Sequence, residues 1–292
     1  MSWIDDLRHS DPDGQPAYSE PDDGDPRMQR PPRPAARIVP TGGRGISLDR
    51  LRVATSYGTR YASSRSIATA ALESGRLGNG LQNSRDTRFS ITSDLASLHL
   101  YLTGEWQWLD AAMSEGKEGA HISLARCVAS GLCRLPQFRG LAVVPTPTAQ
   151  VADWYKKHRY VTERGFWSAS ASAVSNIASG FLIWSLTARN TSAVDPSSPD
   201  RVVFMPGTRF KVLQVGRGRH PVVLIRELFP QEAHDTFDRD NTALTALDDG
   251  IATEIASRIG GVNVAASETV AQGGPPARAP GMKVALAPAD PI

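Results

Sequence analysis

The chain is poor in the residues that build metal centres and disulfide frameworks. It holds two cysteines and six histidines in 292 residues. Both cysteines, Cys127 and Cys133, fall in one predicted helix, ISLARCVASGLCRLP. At that spacing they point to different helix faces, so they are not expected to pair, and buried, reduced thiols are the expectation. No metal-ligand spacing occurs. No apolar run reaches the roughly 18 residues a membrane span needs. The opening MSWIDDLRHSDPDG lacks a basic segment followed by an apolar one, which excludes a conventional signal peptide. The chain is expected to be cytoplasmic, or exported by a route that reads another signal. Excess charge of one sign is also missing: 32 basic residues against 30 acidic give a net charge of +2. That balance gives no general support to nucleic-acid or membrane binding.

Proline and glycine are plentiful, with 21 and 25 residues, and they cluster. The segment PDDGDPRMQRPPRPAARIVP is nearly free of aliphatic side chains and has too little to bury to offset its chain entropy. Residues 1–45 therefore read as a disordered Pro/Asp-rich arm and residues 261–292 as a disordered tail. Residues 46–91 read as a variable N-terminal extension with a short helical stretch ending at glycines. In SDLASLHLYLTGEWQWLDAAMSEG, Ser93 is a plausible N-cap, Leu95, Leu98 and Leu102 share a face, and Gly104 breaks the run. Leu124, Val128 and Leu132 recur every four residues in the cysteine-bearing helix, which Pro136 closes. The pattern then changes to short β-branched or aromatic runs, RGLAVVP, GFWSAS, GFLIWSLT, RVVFMPG, RFKVLQV and PVVLIREL. A last helix is marked by Leu247, Ile251, Ile255 and Ile259, in a segment 233–260 expected to pack on the domain. Helices followed by strands indicate an α+β fold.

The order of SGLCRLPQFRG, TERGFWSAS, VVFMPGTRFKVL and VVLIREL resembles the ADP-ribosyltransferase family, in its arginine-serine-glutamate branch that includes ADP-ribosylating exotoxins. The likeness covers residues 92–232. It implies a split pair of small antiparallel sheets behind N-terminal helices, with NAD in the cleft between the sheets. In that family an arginine at the end of the first strand pairs with NAD phosphate, a planar fork suiting an oxyanion. A serine orients the site. A glutamate holds the ribose hydroxyl and favours the oxocarbenium-like state as nicotinamide leaves.

Carried over by position, Ser168 and Ser170 match the two serines, Ala169 stands for the threonine between them, and Phe166 flanks them. Val144 falls where the arginine belongs. Arg139 matches an earlier arginine of the pattern, too far back along the strand: at ~3.3 Å per residue, a five-residue offset is about 16 Å. Arg201 stands in the position of the glutamate, and Asp200 beside it is the acid that could replace it through a one-residue bulge, which would also turn it to the other face. A cation at Arg201 would face the developing cation, and at ~4 Å with an effective dielectric of about 20 that costs roughly 4 kcal/mol.

The resemblance so read implies an ADP-ribosyltransferase-like domain with its catalytic Glu and Arg positions replaced, a non-catalytic binding or assembly module for a protein partner. A working NAD-dependent mono-ADP-ribosyltransferase, or an NAD glycohydrolase, with Asp200 as its acid and NAD as substrate, is the rival. A third possibility is a nucleic-acid-binding protein that uses Lys156, Lys157, His158, Arg159 and Arg164, with Arg217, Arg219 and His220, and stacks bases on Trp154 and Tyr155. The near-neutral charge disfavours that third reading. Glu227 reads as structural.

Overall fold

A computed structural model describes residues 44–75, 77, 87–115, 121–144, 155–156, 160–171, 180–216, 222–229, 232 and 242–260. The helices come first: α1 (Arg44–Glu73), α2 (Arg88–Leu100), a π-helical turn (Tyr101–Glu105), α3 (Trp106–Glu115) and α4 (His121–Cys133). Eight strands follow: β1 (Gly140–Val144), β2 (Tyr160–Thr162), β3 (Trp167–Ser170), β4 (Gly180–Ser185), β5 (Arg189–Asn190), β6 (Arg201–Phe204), β7 (Arg209–Val215) and β8 (Val222–Glu227). Helix α5 (Thr242–Gly260) is the last element. This is the α+β architecture the sequence pattern implies.

Helix α1 is longer than its sequence suggests. Its Ser, Thr, Gly and Arg content is a poor helix signal, and Gly58 bends it with φ 48°. Tertiary packing overrides propensity here: Val53, Tyr57, Tyr61 and Ala68 bury one face in the same core as Leu95 and Leu98 of α2 and Leu124, Val128 and Leu132 of α4. Each valine or leucine of this set contributes about 1.5–3 kcal/mol when fully buried. The N-cap of α2 is Thr87, not Ser93: its hydroxyl accepts from Ser90 N at 3.2 Å. Ser93 lies fully buried within the helix. Gly104 interrupts the run as expected, and the chain passes through the π-helical turn there.

Both cysteines are free, but only Cys127 is buried; Cys133 is exposed. Burial, with a smaller contribution from the nearby Asp94 carboxylate, pushes the Cys127 thiol up to about 12, so it is held as an unreactive thiol.

Close approach between α2 and α4 depends on Gly131. A Cβ there would sit 2.6 Å from the Asp94 carbonyl oxygen and 3.1 Å from Leu98 Cβ. Both neighbours are backbone or root atoms that move only with their helix. Gly131→Ala is therefore expected to cost about 1–3 kcal/mol despite the better helix propensity of alanine. The check is a lower urea midpoint at unchanged m-value; an unchanged or higher midpoint contradicts the close packing.

The strand order is β2-β7-β8-β4-β1-β3-β6-β5. All neighbours are antiparallel except β4 and β8. RFKVLQV and VVLIREL pair antiparallel as β7 and β8, with a bulge between Val212 and Gln214. Their connecting residues 217–221 lie outside the described set. The five-stranded and three-stranded parts of the sheet are joined by a single residue pair, Val143 with Ser170. The two parts enclose one core, in which Trp167, Ala169, Val202 and Phe204 from β3 and β6 meet Phe181, Ile183, Phe210, Val223 and Ile225. The Trp167 ring centre lies 5.3 Å from that of Phe181 and 5.6 Å from that of Phe210, both edge-on. Outside this core, α5 places Ile251 and Ile255 against Leu141, Val143, Leu182 and Leu224. On the other side, Phe166 and Val203 join the helical core.

Candidate functional site

Strands β3 and β6 pair with Ser168 opposite Val203, Ala169 opposite Val202, and Ser170 opposite Arg201. Side chains alternate along a strand, so Ser168, Ser170, Arg201 and Val203 share the face turned to the helical layer. Trp167, Ala169, Val202 and Phe204 share the face turned to the core between the sheet halves. The motif positions on these two strands are thus brought together. Ser168 is half-buried, and its hydroxyl oxygen is buried with no partner among the described residues. Ser170 is half-buried.

Arg201 is neither exposed nor unpaired. Its side chain is 10% exposed, and Nη1 stands 3.1 Å from Oδ2 of the buried Asp195. Nη1 also donates to the Leu102 carbonyl in the π-helical turn, and Nη2 to Ser198 Oγ, each at 3.1 Å. The guanidinium therefore ties three pieces together: the first residue of β6, the loop before it, and the turn that follows α2. The pair is neutral as a unit, so the full like-charge penalty expected of a lone cation does not apply. What the position lacks is a free negative charge.

The loop is itself well fastened. Thr191 donates from both its amide and its hydroxyl to the Arg201 carbonyl, each at 3.1 Å. Asp195 and Val194 amides donate back to the Thr191 carbonyl. Asp195 was not singled out in the sequence. The signal was present in principle, since an arginine opening a strand on a buried face needs an anion and the turn VDPSSPD supplies one.

Asp200 is exposed, and its carbonyl accepts from Ala171 N at 2.8 Å, extending the β3–β6 ladder by one pair. Val144 is 3% exposed and packs in the core between the sheet halves. Arg139 is exposed and directly precedes β1, at the opposite end of the strand from the Val143–Ser170 junction. Four residues at about 3.3 Å each separate it from that junction along the strand by about 13 Å. Phe166 is buried and stacks on Tyr101 of the π-helical turn, ring centres 5.1 Å apart.

Glu227 is structural: it accepts from the Leu186 amide at 2.7 Å and the Thr187 amide at 2.9 Å, and from the Thr187 hydroxyl. Its carboxylate does not pair with Arg226, which donates to the Glu227 backbone carbonyl at 3.3 Å and pairs with the carboxylates of Glu232 and Asp248. Tyr155 is buried and set edge-on to Phe181, so it is not available to stack on a base. Trp154, Lys157, His158, Arg159, Arg217, Arg219 and His220 lie outside the described residues. Among the described residues, no helix is long and apolar enough to cross a membrane, and no group of three His, Cys, Asp or Glu is gathered that could hold a metal.

No protein-family pattern matches the chain, and no curated protein matches it. Solved structures do. The type III effector XopAI of Xanthomonas axonopodis pv. citri, in a form truncated by 70 N-terminal residues, is 18% identical over 66% of this chain and 91% of its own, with a TM-score of 0.51. Exoenzyme S from Pseudomonas aeruginosa, in complex with human 14-3-3 protein beta and bound to carba-NAD, is 14% identical over 70% of this chain and 98% of its own, with a TM-score of 0.46. The Vis toxin, an ADP-ribosyltransferase from Vibrio splendidus, is 16% identical over 60% of this chain and 88% of its own, with a TM-score of 0.43. At these identities the likeness is one of fold alone. The shared fold places N-terminal helices ahead of an eight-stranded, mostly antiparallel sheet.

Proposed function

We propose that the chain is an ADP-ribosyltransferase-like domain that does not transfer ADP-ribose and instead serves as a binding or assembly module for a protein partner. The observation that carries this is the state of Arg201. The residue at the glutamate position is a guanidinium engaged by Asp195, Leu102 and Ser198. A carboxylate is what favours the oxocarbenium-like state, and none stands on the face shared with Ser168 and Ser170 among the β3 and β6 residues. The position that the resemblance gives to the phosphate-binding arginine holds Val144, an apolar side chain packed in a core, which supports the same reading. If NAD binds, Ser168, Ser170, Phe166 and Arg139 are the positions the resemblance assigns to it.

The rival assignment rests on Asp200, an exposed carboxylate one residue from the glutamate position. Nicotinamide release from saturating NAD separates the two. The native chain is expected to give no release above background, and Asp200→Asn to be indistinguishable from it. Arg201→Glu is expected to stay inactive and to lose stability, since it sets a second carboxylate against Asp195. Clear turnover by the native chain that disappears in Asp200→Asn would make Asp200 the catalytic acid and end the non-catalytic reading.

A further inference from the structure

We infer that Ser198 is a phosphorylation site, and that a phosphate there would take Arg201 away from Asp195. This goes beyond the binding-module reading and does not depend on it. Of the 21 prolines, two directly follow a hydroxyl residue, Pro147 after Thr146 and Pro199 after Ser198. The second pair lies at a loop tip where Pro196, Ser197, Pro199 and Asp200 are all exposed. Proline after serine is what a proline-directed kinase selects, because that position offers no amide hydrogen and fixes its own φ. Ser198 is held by two backbone bonds, its amide to the Asp195 carbonyl at 3.2 Å and its carbonyl from the Arg201 amide at 3.0 Å, so presenting it needs only local opening.

What sets this serine apart from an ordinary loop hydroxyl is its partner. Its Oγ already accepts from Arg201 Nη2 at 3.1 Å, so the charged oxygens of a phosphate built on it would stand beside the same guanidinium. The reaction needs ATP and a proline-directed serine/threonine kinase. The Ser198 oxygen forms a bond to the γ-phosphorus, the bond to ADP breaks, and the hydroxyl proton passes to the kinase's catalytic carboxylate. The product carries about −1.5 to −2 charges against the single charge of Asp195, on the same loop and facing the same guanidinium. Arg201 therefore shifts to the phosphate, and its departure from Asp195 and from the Leu102 carbonyl loosens the loop.

The test incubates the full chain with ATP and a mitogen-activated-type kinase, then maps phosphopeptides and measures amide hydrogen exchange. Phosphate is expected on Ser198, absent in Ser198→Ala and at background in Pro199→Ala. Exchange over residues 191–203 is expected to speed up on phosphorylation, and this change to vanish in Arg201→Gln. Phosphate on Thr146 or Ser197 alone, or on Ser198 only after the chain is unfolded, overturns the site. Faster exchange of equal size in Arg201→Gln overturns the coupling through Arg201.

Discussion

Replacing Asp94 with alanine is expected to remove a large share of the domain's stability. Asp94 is fully buried, and both carboxylate oxygens are engaged. Arg50 grips it with Nε at 2.7 Å and Nη2 at 2.8 Å. Arg134 comes from the other side, with Nη2 at 2.7 Å and Nε at 3.1 Å, and Ser130 Oγ donates at 2.7 Å. One carboxylate thus joins α1, α2 and the end of α4. Removing it leaves two guanidinium groups, 6% and 8% exposed, without the carboxylate that both grip. Breaking a buried pair from one side costs about 3–5 kcal/mol, against a typical domain stability of about 5–15 kcal/mol. Asp94→Asn keeps the shape but loses the charge and turns one of the two acceptor oxygens into a donor facing a guanidinium, so an intermediate loss is expected. Urea titration followed by circular dichroism reads both. A loss under about 1 kcal/mol for Asp94→Ala would mean that water or rearrangement compensates the two cations, which burial at this level argues against.

The same cluster shows what a sequence conceals. Leu124, Val128 and Leu132 were legible because a helix repeats its burial every three to four residues, and all three are buried. The serines of β3 and the pairing of β7 with β8 were legible because strand and turn chemistry are local. Asp94 looked like one more acid in a helix. Its meaning depends on Arg50 and Arg134, 44 and 40 positions away, and nothing local announces them. Arg201 is a sharper case. Aligning motifs set it at the position of the family's glutamate, and the strands pair it with Ser170. The sequence suggested a cation facing the site, yet the Leu102 carbonyl that receives it is 99 residues away. Propensity failed for α1, where packing decides the outcome, and for the N-cap of α2, where Thr87 stands ahead of Ser93.

Removing Arg226 is expected to release the last helix. Arg226 is fully buried on β8. Its Nη1 and Nη2 meet the Glu232 carboxylate at 2.8 and 2.6 Å, and its Nε bonds to Asp248 of α5. Lys211 of β7 reaches the other oxygen of Asp248 at 2.6 Å. Burial would by itself lower the pKa of Arg226, but the hydrogen bonds from Glu232 and Asp248 more than offset it and hold the group above its ordinary value, so it stays charged. Two cations and two carboxylates make the network neutral. Arg226→Ala leaves both carboxylates with one ammonium, a loss of about 3–5 kcal/mol. Glu232 also accepts from the Phe229 amide at 2.9 Å, so its partner substitution must keep an acceptor. The pair Arg226→Met with Glu232→Gln does so. It leaves Lys211 and Asp248 as a matched pair and should recover about 0.5–3 kcal/mol relative to the sum of the two single losses. Because Arg226 holds α5 through Asp248, hydrogen exchange over residues 242–260 should rise first in Arg226→Ala, while the helical core around Asp94 keeps its protection. Uniform loss of protection across both regions would instead show that α5 and the helical layer unfold as one unit.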